Sequence, residues 1–259
     1  SVNFQHDLVH DGNGNVIEST LNSTGSFEYV YDALNQIKER REKGTGYIKE
    51  VWNYDRLGNW ESYTNIAQAI NQAREINKAN QYTRINEDVL TYNDNGSLTG
   101  WNGREFVYDA LERLIEVRSN SQTVAIYAYD ALNRRVSKEV PSLSRTTRYI
   151  YDGNQIAEEE VNGIVERKYV YGSGIDTPVA MIRGSDVFYY LLDWLHNVKA
   201  VTDEDGEVVE SYEYSQFGIT DVYGPNGEWY TESAIGNPYG FSGRRLDPET
   251  GLYEYRNRM

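Results

Sequence analysis

Aromatic and polar residues alternate along much of the chain, and one form of this alternation is repeated. Its unit is an aromatic residue, any residue, a tyrosine and an aspartate, usually followed after two more residues by Gly or Asn. Neighbouring copies lie mostly about 20 residues apart, the length of one β-hairpin with its turn. We call the tyrosine of each copy the anchor tyrosine. The clear copies contain Tyr31-Asp32, Tyr54-Asp55, Tyr108-Asp109, Tyr129-Asp130 and Tyr151-Asp152, and weaker copies contain Tyr92, Tyr171 and Tyr214.

The unit has the pattern of a β-strand that ends in a turn. Side chains alternate between the two faces of a strand, so Phe27, Tyr29 and Tyr31 share one face. Rings on neighbouring strands then meet, at roughly 0.2–1 kcal/mol per favourable pair. The aspartate can accept backbone N–H groups in a turn, and Gly or Asn three residues later tolerates a positive φ. We therefore interpret the repeated aspartates as turn formers rather than as catalytic residues or metal ligands.

One segment interrupts the repeats between Tyr54 and Tyr92. Residues 65–80 place Ile66, Ala69, Ile70, Ala73 and Ile76 on one stripe with helical spacing. This pattern predicts a short inserted helix that packs on the sheet, with docking of a partner as the alternative role.

The repeats predict an all-β fold. We expect antiparallel β-hairpins with one short inserted helix near 65–80. The chain has 259 residues, enough for one large β domain or two smaller ones. The hairpin repeats cover residues 1–185, and the sequence changes character from residue 186.

Composition and charge restrict the possible partners. The chain contains 23 Tyr, and 40 acidic residues against 25 Lys and Arg give a net charge of −15. Such a charge argues against nucleic acid or an anionic membrane as the main partner. No apolar stretch approaches the ~20 residues of a membrane-spanning helix, and residues 1–20 have no signal-peptide core.

Few residues have the chemistry of a catalytic or metal site. The chain has no Cys and three His, which excludes disulfides and cysteine-based metal sites. The segments 11–15 and 203–207 faintly resemble calcium loops but lack the glycine and glutamate positions of an EF-hand, so hairpin turns are favoured over weak Ca²⁺ binding. No nucleophile or phosphate-binding motif is complete. We therefore expect no catalytic residue, no cofactor and no metal, and a hydrolase has no support in the sequence.

Two later segments carry a resemblance to a known family. Residues 188–206 resemble the segment "YYLxDxLGS…TDxxG" of Rhs proteins, and residues 237–259 resemble the Rhs-associated core signature. With the repeats, the resemblance to the Rhs/YD-repeat family covers nearly the whole chain. Arginines in this acidic chain suggest ion pairs and ring stacking that fix the signature, with an anion or partner site as the alternative. The signature residues are Tyr239, Gly240, Gly243, Arg244, Asp247, Gly251, Tyr253, Tyr255, Arg256 and Arg258.

The resemblance implies that the antiparallel β-hairpins follow a spiral and form an open or partly closed shell. In this family, YD repeats wind into a hollow cocoon, as in bacterial Rhs toxins, insecticidal toxin complexes and teneurins. In many bacterial members the shell encloses a C-terminal toxin that is released by aspartyl self-cleavage. The resemblance places the cleavage aspartates beyond Met259, so residues 186–259 are expected to be a core segment truncated before that motif, and Asp247 is not assigned to it.

We thus expect a non-enzymatic part of a shell that encloses or displays a C-terminal polypeptide, typically a toxin. Its expected partners are the remainder of its own polypeptide, both shell and cargo, and other copies through exposed sheet edges. By resemblance the protein is bacterial and secreted or on the cell surface, without membrane insertion. The alternative is a secreted or surface module that binds glycans or a protein through exposed Tyr and Trp. Buried tyrosines favour the shell, and an exposed row of rings favours the binding module.

Overall fold

The computed structural model describes residues 6–21, 25–215 and 218–256. Their secondary structure is β-strands joined by short turns, with single turns of 3-10 helix at Pro141–Leu143 and Phe241–Gly243. The described residues divide into two compact units, which are those up to residue 102 and those from residue 103 onward. The expected division between 185 and 186 follows sequence motifs and stays a prediction.

Within the described residues, the first unit contains eleven strands, of which β1 to β9 are hydrogen-bonded in sequence order and β10 and β11 form a hairpin. All neighbouring pairs are antiparallel. The strands are β1 (His6–His10), β2 (Val16–Leu21), β3 (Gly25–Tyr31), β4 (Ile37–Glu42), β5 (Ile48–Tyr54), β6 (Trp60–Asn65), β7 (Ile70–Ile76), β8 (Tyr82–Ile85), β9 (Asp88–Val89), β10 (Thr91–Tyr92) and β11 (Leu98–Trp101).

In the second unit, strands β12 to β24 follow one another across an antiparallel sheet in sequence order, and β25 and β26 form a separate hairpin. The strands are β12 (Arg104–Tyr108), β13 (Leu114–Ser119), β14 (Gln122–Tyr129), β15 (Arg135–Val140), β16 (Arg145–Asp152), β17 (Gln155–Val161), β18 (Ile164–Tyr171), β19 (Pro178–Arg183), β20 (Asp186–Leu192), β21 (Val198–Thr202), β22 (Val208–Tyr214), β23 (Thr220–Tyr223), β24 (Trp229–Tyr230), β25 (Arg245–Asp247) and β26 (Leu252–Glu254). The all-β prediction with antiparallel hairpins is confirmed.

The predicted helix at 65–80 is wrong. Strand β6 ends at Asn65, residues 66–69 form a turn, and β7 pairs with β6 and β8. Ile66, Ala69 and Ala73 are exposed, whereas Ile70 and Ile76 lie on the half-buried face of β7. Because β7 pairs with a strand on each side, its backbone is extended and its side chains alternate between the two faces. This pairing outweighs the helical spacing of the apolar residues.

The repeats at Asp32, Asp55, Asp109 and Asp130 end in the same hairpin geometry, seen clearly at Asp109. The Asp109 N–H donates to the Arg113 carbonyl at 3.0 Å, and the Glu112 N–H donates to the Asp109 carbonyl at 3.0 Å. Glu112 has a φ of 58°, and the pairing register shifts between Val107 and Tyr108. A tight turn followed by a left-handed residue and a bulge is a favoured way to join two twisted strands. The same geometry at Asn35, with φ 60°, and Asn133, with φ 62°, explains why Asn serves there.

Candidate functional site: the docked segment and its buried charges

Seven of the anchor tyrosines bond their hairpin to the preceding part of the chain. The Tyr129 hydroxyl donates to the Leu114 carbonyl at 2.8 Å, and the Tyr151 hydroxyl donates to the Arg135 carbonyl at 2.9 Å. The bond spans 10 to 17 residues wherever it occurs, so it joins neighbouring units of the repeat. The other donors and their carbonyls are Tyr31 to Val16, Tyr54 to Ile37, Tyr92 to Tyr82, Tyr171 to Ile156 and Tyr214 to Val198. Tyr108 is half-buried, and burial raises its pKa.

The repeated aspartates lie at the turns. Asp130 Oδ1 accepts the backbone N–H groups of Leu132 and Arg134, both at 2.9 Å. Asp32, Asp55 and Asp109 accept the corresponding two N–H groups. Asp152 is placed differently, because it is the last residue of β16 and pairs with Gln155 across a two-residue turn.

A second set of deeply buried rings stands two positions before the anchor position. In the second unit these rings lie on every second strand from β14 to β22 and share one face of the sheet, which we call the inner face. Tyr127, Tyr149, Tyr169, Tyr190 and Tyr212 are each at most 7% exposed. Trp52 in the first unit and Phe106 in the second have the same place in their repeats.

A later segment covers the inner face of the second unit. We call residues 229–256 the docked segment. It begins at β24, continues through an irregular stretch and ends with the β25–β26 hairpin. Its first anchor is fully buried Glu210 on β22, which accepts the N–H groups of Ala234 at 2.6 Å and Ile235 at 3.1 Å and the Ser233 hydroxyl at 2.7 Å.

Signature residues enter the row of buried tyrosines. The Tyr190 hydroxyl donates to Asn237 Oδ1, and Asn237 Nδ2 donates to the Tyr212 hydroxyl, both at 2.9 Å. The Tyr239 and Tyr171 hydroxyls are hydrogen-bonded at 2.5 Å. The Tyr239 ring stands edge-on to Tyr169, with ring centroids 5.1 Å apart. The docked segment is thus packed between rings that the repeats supply.

A first group of buried charges holds the β25–β26 hairpin. Arg135 Nη1 lies 2.5 Å from Asp247 Oδ2, and Arg135 Nη2 lies 2.5 Å from Glu254 Oε2. Lys138 Nζ contacts Asp247 Oδ1 at 2.7 Å and Glu249 Oε1 at 3.0 Å. Two cations of β15 thus face three carboxylates of the docked segment.

A second group has the opposite arrangement of charge. Arg245 of the docked segment lies 2.5 Å from Glu159 Oε1 on β17, while Arg167 of β18 lies 2.9 Å from Glu159 Oε2. The Arg245 guanidinium is also 5.1 Å from the Tyr149 ring centroid and 5.2 Å from that of Tyr239, which favours a cation at this place.

These contacts keep the buried groups charged. Burial alone would raise the pKa of Glu159, but Arg245 and Arg167 outweigh it and lower the pKa to about 2. Burial opposes ionisation of Asp247 in the same way, and the cations Arg135 and Lys138 hold its pKa below the ordinary 3.8. Removal of one partner would leave a buried charge uncompensated.

Other signature residues fix the edge of the docked segment. Arg244 and Arg256 reach the two oxygens of Asp176, at 2.9 Å and 2.6 Å. Gly243 has a φ of 64°, and a Cβ built there would overlap the Asp176 carbonyl oxygen. The Tyr253 hydroxyl lies 2.5 Å from the Thr220 hydroxyl.

The remaining signature residues have varied places. Gly240 is buried, and a Cβ there would come within 3.0 Å of the Tyr253 hydroxyl. Gly251 has a φ of 68° in the turn between β25 and β26. The Tyr255 ring is 5.1 Å from the Arg244 guanidinium. Arg258 lies outside the described residues.

Strands β12 to β23, which the docked segment contacts, are called the wall below. Sequence reasoning missed the charged residues on these strands. Arg135, Lys138, Glu159, Arg167 and Glu210 are all on strands of the repeat region or of the segment that follows it, and none was singled out. A signal was present at Arg167, because it stands two positions before Tyr169 and therefore shares its face. A charged residue in register with a row of buried rings indicates a buried ion pair.

The two segments that resemble calcium loops are hairpin turns. Asp11 Oδ1 accepts the N–H groups of Asn13 and Asn15, both at 2.9 Å, and Asp203 Oδ1 accepts those of Asp205 and Glu207. Among the described residues, no three His, Asp or Glu side chains are grouped as a metal would require. Within the same ranges, no helix has the length and apolar character needed to cross a bilayer.

Comparison with known proteins finds relatives along the whole sequence. The tRNA nuclease WapA of Bacillus subtilis (strain 168) is 29% identical over 231 residues, which are 86% of this chain and 9% of that protein. Double-stranded DNA deaminase toxin A of Burkholderia cenocepacia (strain H111) is 24% identical over 279 residues, which are 94% of this chain and 19% of that protein. This chain therefore spans less than a fifth of either relative.

Solved structures share the fold at lower identity. The Photorhabdus luminescens Tc holotoxin pore superposes with a TM-score of 0.72 at 16% identity, over 97% of this chain and 15% of that chain. The TcdB2-TccC3 crystal structure superposes with a TM-score of 0.70 at 16% identity, over 98% and 15% of the two chains. The sequence model of the Teneurin YD-shell family matches residues 1–258. The chain with these tyrosine-bonded hairpins belongs to the Teneurin YD-shell family.

Proposed function

We propose that this chain is a non-enzymatic part of a shell wall that encloses or displays another part of its own polypeptide. Membership in the YD-shell family supports a structural role. The observation that carries the proposal is the burial of the repeat tyrosines. Tyr127, Tyr149, Tyr169, Tyr190 and Tyr212 are at most 7% exposed, so these rings pack within the chain and do not form an exposed row for a glycan or a separate protein.

The names of the relatives suggest what is enclosed. Two of them are a tRNA nuclease and a deaminase toxin, of which this chain spans 9% and 19%. We assign such activities to parts of those proteins outside the matched region. The proposed cargo is accordingly a toxin on the same polypeptide, and the proposed location is the cell surface or the outside of a bacterial cell.

The binding module with exposed rings has less support. Trp194 is 56% exposed and Trp229 is 60% exposed, but Trp194 lies in a turn and Trp229 in a strand far along the chain. Among the tyrosines, Tyr47 is 50% exposed and Tyr189 is 43% exposed. Replacement of these exposed rings would test that alternative.

The test uses the product of the uncut native gene. We expect a precursor that is larger than 29.8 kDa, with a tail that resists added protease while the wall is folded. The control is the same preparation in denaturant, in which the tail should be digested. A tail that is digested equally fast in both conditions, or no tail at all, would contradict enclosure.

A further inference from the structure

The docked segment is joined to the wall by one exposed turn. Strands β23 and β24 pair at Val222 and Tyr230, and the turn between them has the Gly227 N–H donating to the Gly224 carbonyl at 3.0 Å. Asn226 in this turn is exposed. A break in the chain here would leave the docked segment held only by non-covalent contacts.

Apart from the pairing of β24 with β23, those contacts are made mostly by side chains. The β25–β26 hairpin is a sheet of two strands, which is marginally stable alone in water. Few backbone hydrogen bonds join the residues just before this hairpin to the wall. One runs from the Val198 N–H to the Gly240 carbonyl at 3.2 Å. The Ser242 N–H donates to Asn197 Oδ1 at 2.7 Å. Backbone groups are the same in any peptide, so selection of this segment depends on its side chains.

The charges of the segment follow a fixed order that the wall complements. Arg245 faces the wall carboxylate Glu159, and Asp247, on the same strand face two positions later, faces the wall cation Arg135. A shift of β25 by one residue would bring Leu246 to one of these places and leave buried charges unpaired. Because an unpaired buried charge is strongly unfavourable, only one register is compatible with the wall.

We infer that the inner face of the second unit is a peptide-binding site that selects the docked segment by this order of charges. The site keeps the segment bound when the chain is cut between Asn226 and Gly227. The ligand class is a peptide in which a cation and an anion alternate on one strand face beside a tyrosine that enters the row of rings, as Arg245, Asp247 and Tyr239 do. This inference does not require that the shell encloses a cargo.

The first experiment cuts the folded chain. A recognition sequence for a specific protease is inserted between Asn226 and Gly227, since exposed turn tips tolerate insertion. The protein is purified intact, cut, and examined by size-exclusion chromatography and intact mass. We expect the two fragments to elute together at native pH and to separate in denaturant. Separation in native buffer immediately after cutting would overturn the inference.

The second experiment tests selection by charge on the cut protein. Glu159→Gln and Arg245→Gln should each raise the dissociation constant of the fragments by about tenfold or more. The dissociation constant of the double variant should be no higher than the higher of the two single-variant values, because both replacements remove the same pair. The control is Glu160→Gln, which alters an ion pair with Arg148, whose side chain is 72% exposed, and should change the constant less than about twofold. Independent effects of the two replacements, or an equal effect of the control, would overturn selection by charge.

The two tests are separable from that of the shell. Retention of the cut segment depends only on residues 103–256, whereas enclosure is measured by protection of a tail in the precursor. A retained segment with an unprotected tail would support the peptide site and contradict the proposed function. A protected tail together with loss of the cut segment would contradict the peptide site alone.

Discussion

Arg135 Nη1 lies 2.5 Å from Asp247 Oδ2, although the two residues are 112 positions apart in the sequence. Both side chains are almost completely buried. The pair connects a strand of the repeats to the docked segment, and it is therefore a direct probe of how much the segment contributes to the stability of the wall.

We expect Arg135→Met to destabilise the protein by about 3–5 kcal/mol, because it leaves Glu254 without its close cation and Asp247 with Lys138 alone. The measurement is urea unfolding at neutral pH. Arg148→Met is the matched control, since the Arg148 side chain is 72% exposed, and it should change the free energy of unfolding by no more than about 0.5 kcal/mol. Equal effects of the two replacements would show that the pair is not buried in solution.

Stability should fall in acid, over the range set by Glu159 and Asp247. The pKa of Glu159 is lowered from the ordinary 4.5 to about 2, and that of Asp247 is lowered from 3.8. Between the ordinary and the lowered pKa, the unfolded chain binds protons that the folded chain does not, so lower pH favours unfolding. The contribution of Glu159 is fully present above pH 4.5 and is lost as the pH falls toward 2.

The measurement is the melting temperature as a function of pH. Glu159→Gln should be less stable than the parent at neutral pH and should lose less stability on acidification, because it removes one of the groups that titrate. Glu160→Gln should follow the parent curve. A Glu159→Gln curve parallel to that of the parent would show that Glu159 is not held ionised by its partners.

The hydroxyl of Tyr129 should contribute separately from its ring. Tyr129→Phe leaves the Leu114 carbonyl without its donor and should cost about 1–3 kcal/mol, while Tyr129→Ala should cost about 3–5 kcal/mol through the additional loss of the ring. Tyr189 is 43% exposed, so Tyr189→Phe is the control and should be close to neutral. An unchanged melting temperature for Tyr129→Ala would show that the Tyr129 ring does not stabilise the wall.

Two glycines of the signature separate backbone strain from steric overlap. Gly243 and Gly251 both have a positive φ, but a Cβ on Gly243 meets the Asp176 carbonyl whereas one on Gly251 meets no atom within 4 Å. We expect Gly251→Ala to cost about 1–2 kcal/mol from the left-handed backbone alone. Gly243→Ala should cost more and should weaken the contact of Arg244 with Asp176. Equal unfolding free energies for the two variants would contradict the close approach at Gly243.

The strands of the clear repeats could be predicted because each copy carries its own turn. The tyrosine, the aspartate and the left-handed residue are close in sequence, so their geometry is local. The 65–80 segment shows where this failed. Asn77 replaces the aspartate there, and its Oδ1 accepts the N–H groups of Ala79 and Gln81 as Asp130 accepts those of Leu132 and Arg134. Without the Tyr-Asp pair the copy was hidden, and the isoleucine spacing favoured a helix.

The buried charges could not be predicted because their partners are remote. Nothing near Glu159 in the sequence indicates Arg245, since the contact arises only when the docked segment crosses the inner face. The arginines of the signature could be recognised as unusual in an acidic chain, but their carboxylate partners are placed by the pairing of many strands. Local periodicity specifies the strands and leaves these long-range pairs undetermined.

The tyrosine bonds and the docked segment differ in how they would respond to an added or removed hairpin. The tyrosine bonds of the first unit join a hairpin only to the one just before it, so a hairpin gained or lost among β1 to β9 would keep the remaining bonds. The docked segment instead contacts strands from β12, through Arg104, to β22, through Glu210, so a hairpin inserted between these strands would separate groups that it contacts together. We therefore expect an inserted hairpin to destabilise the second unit more than the first.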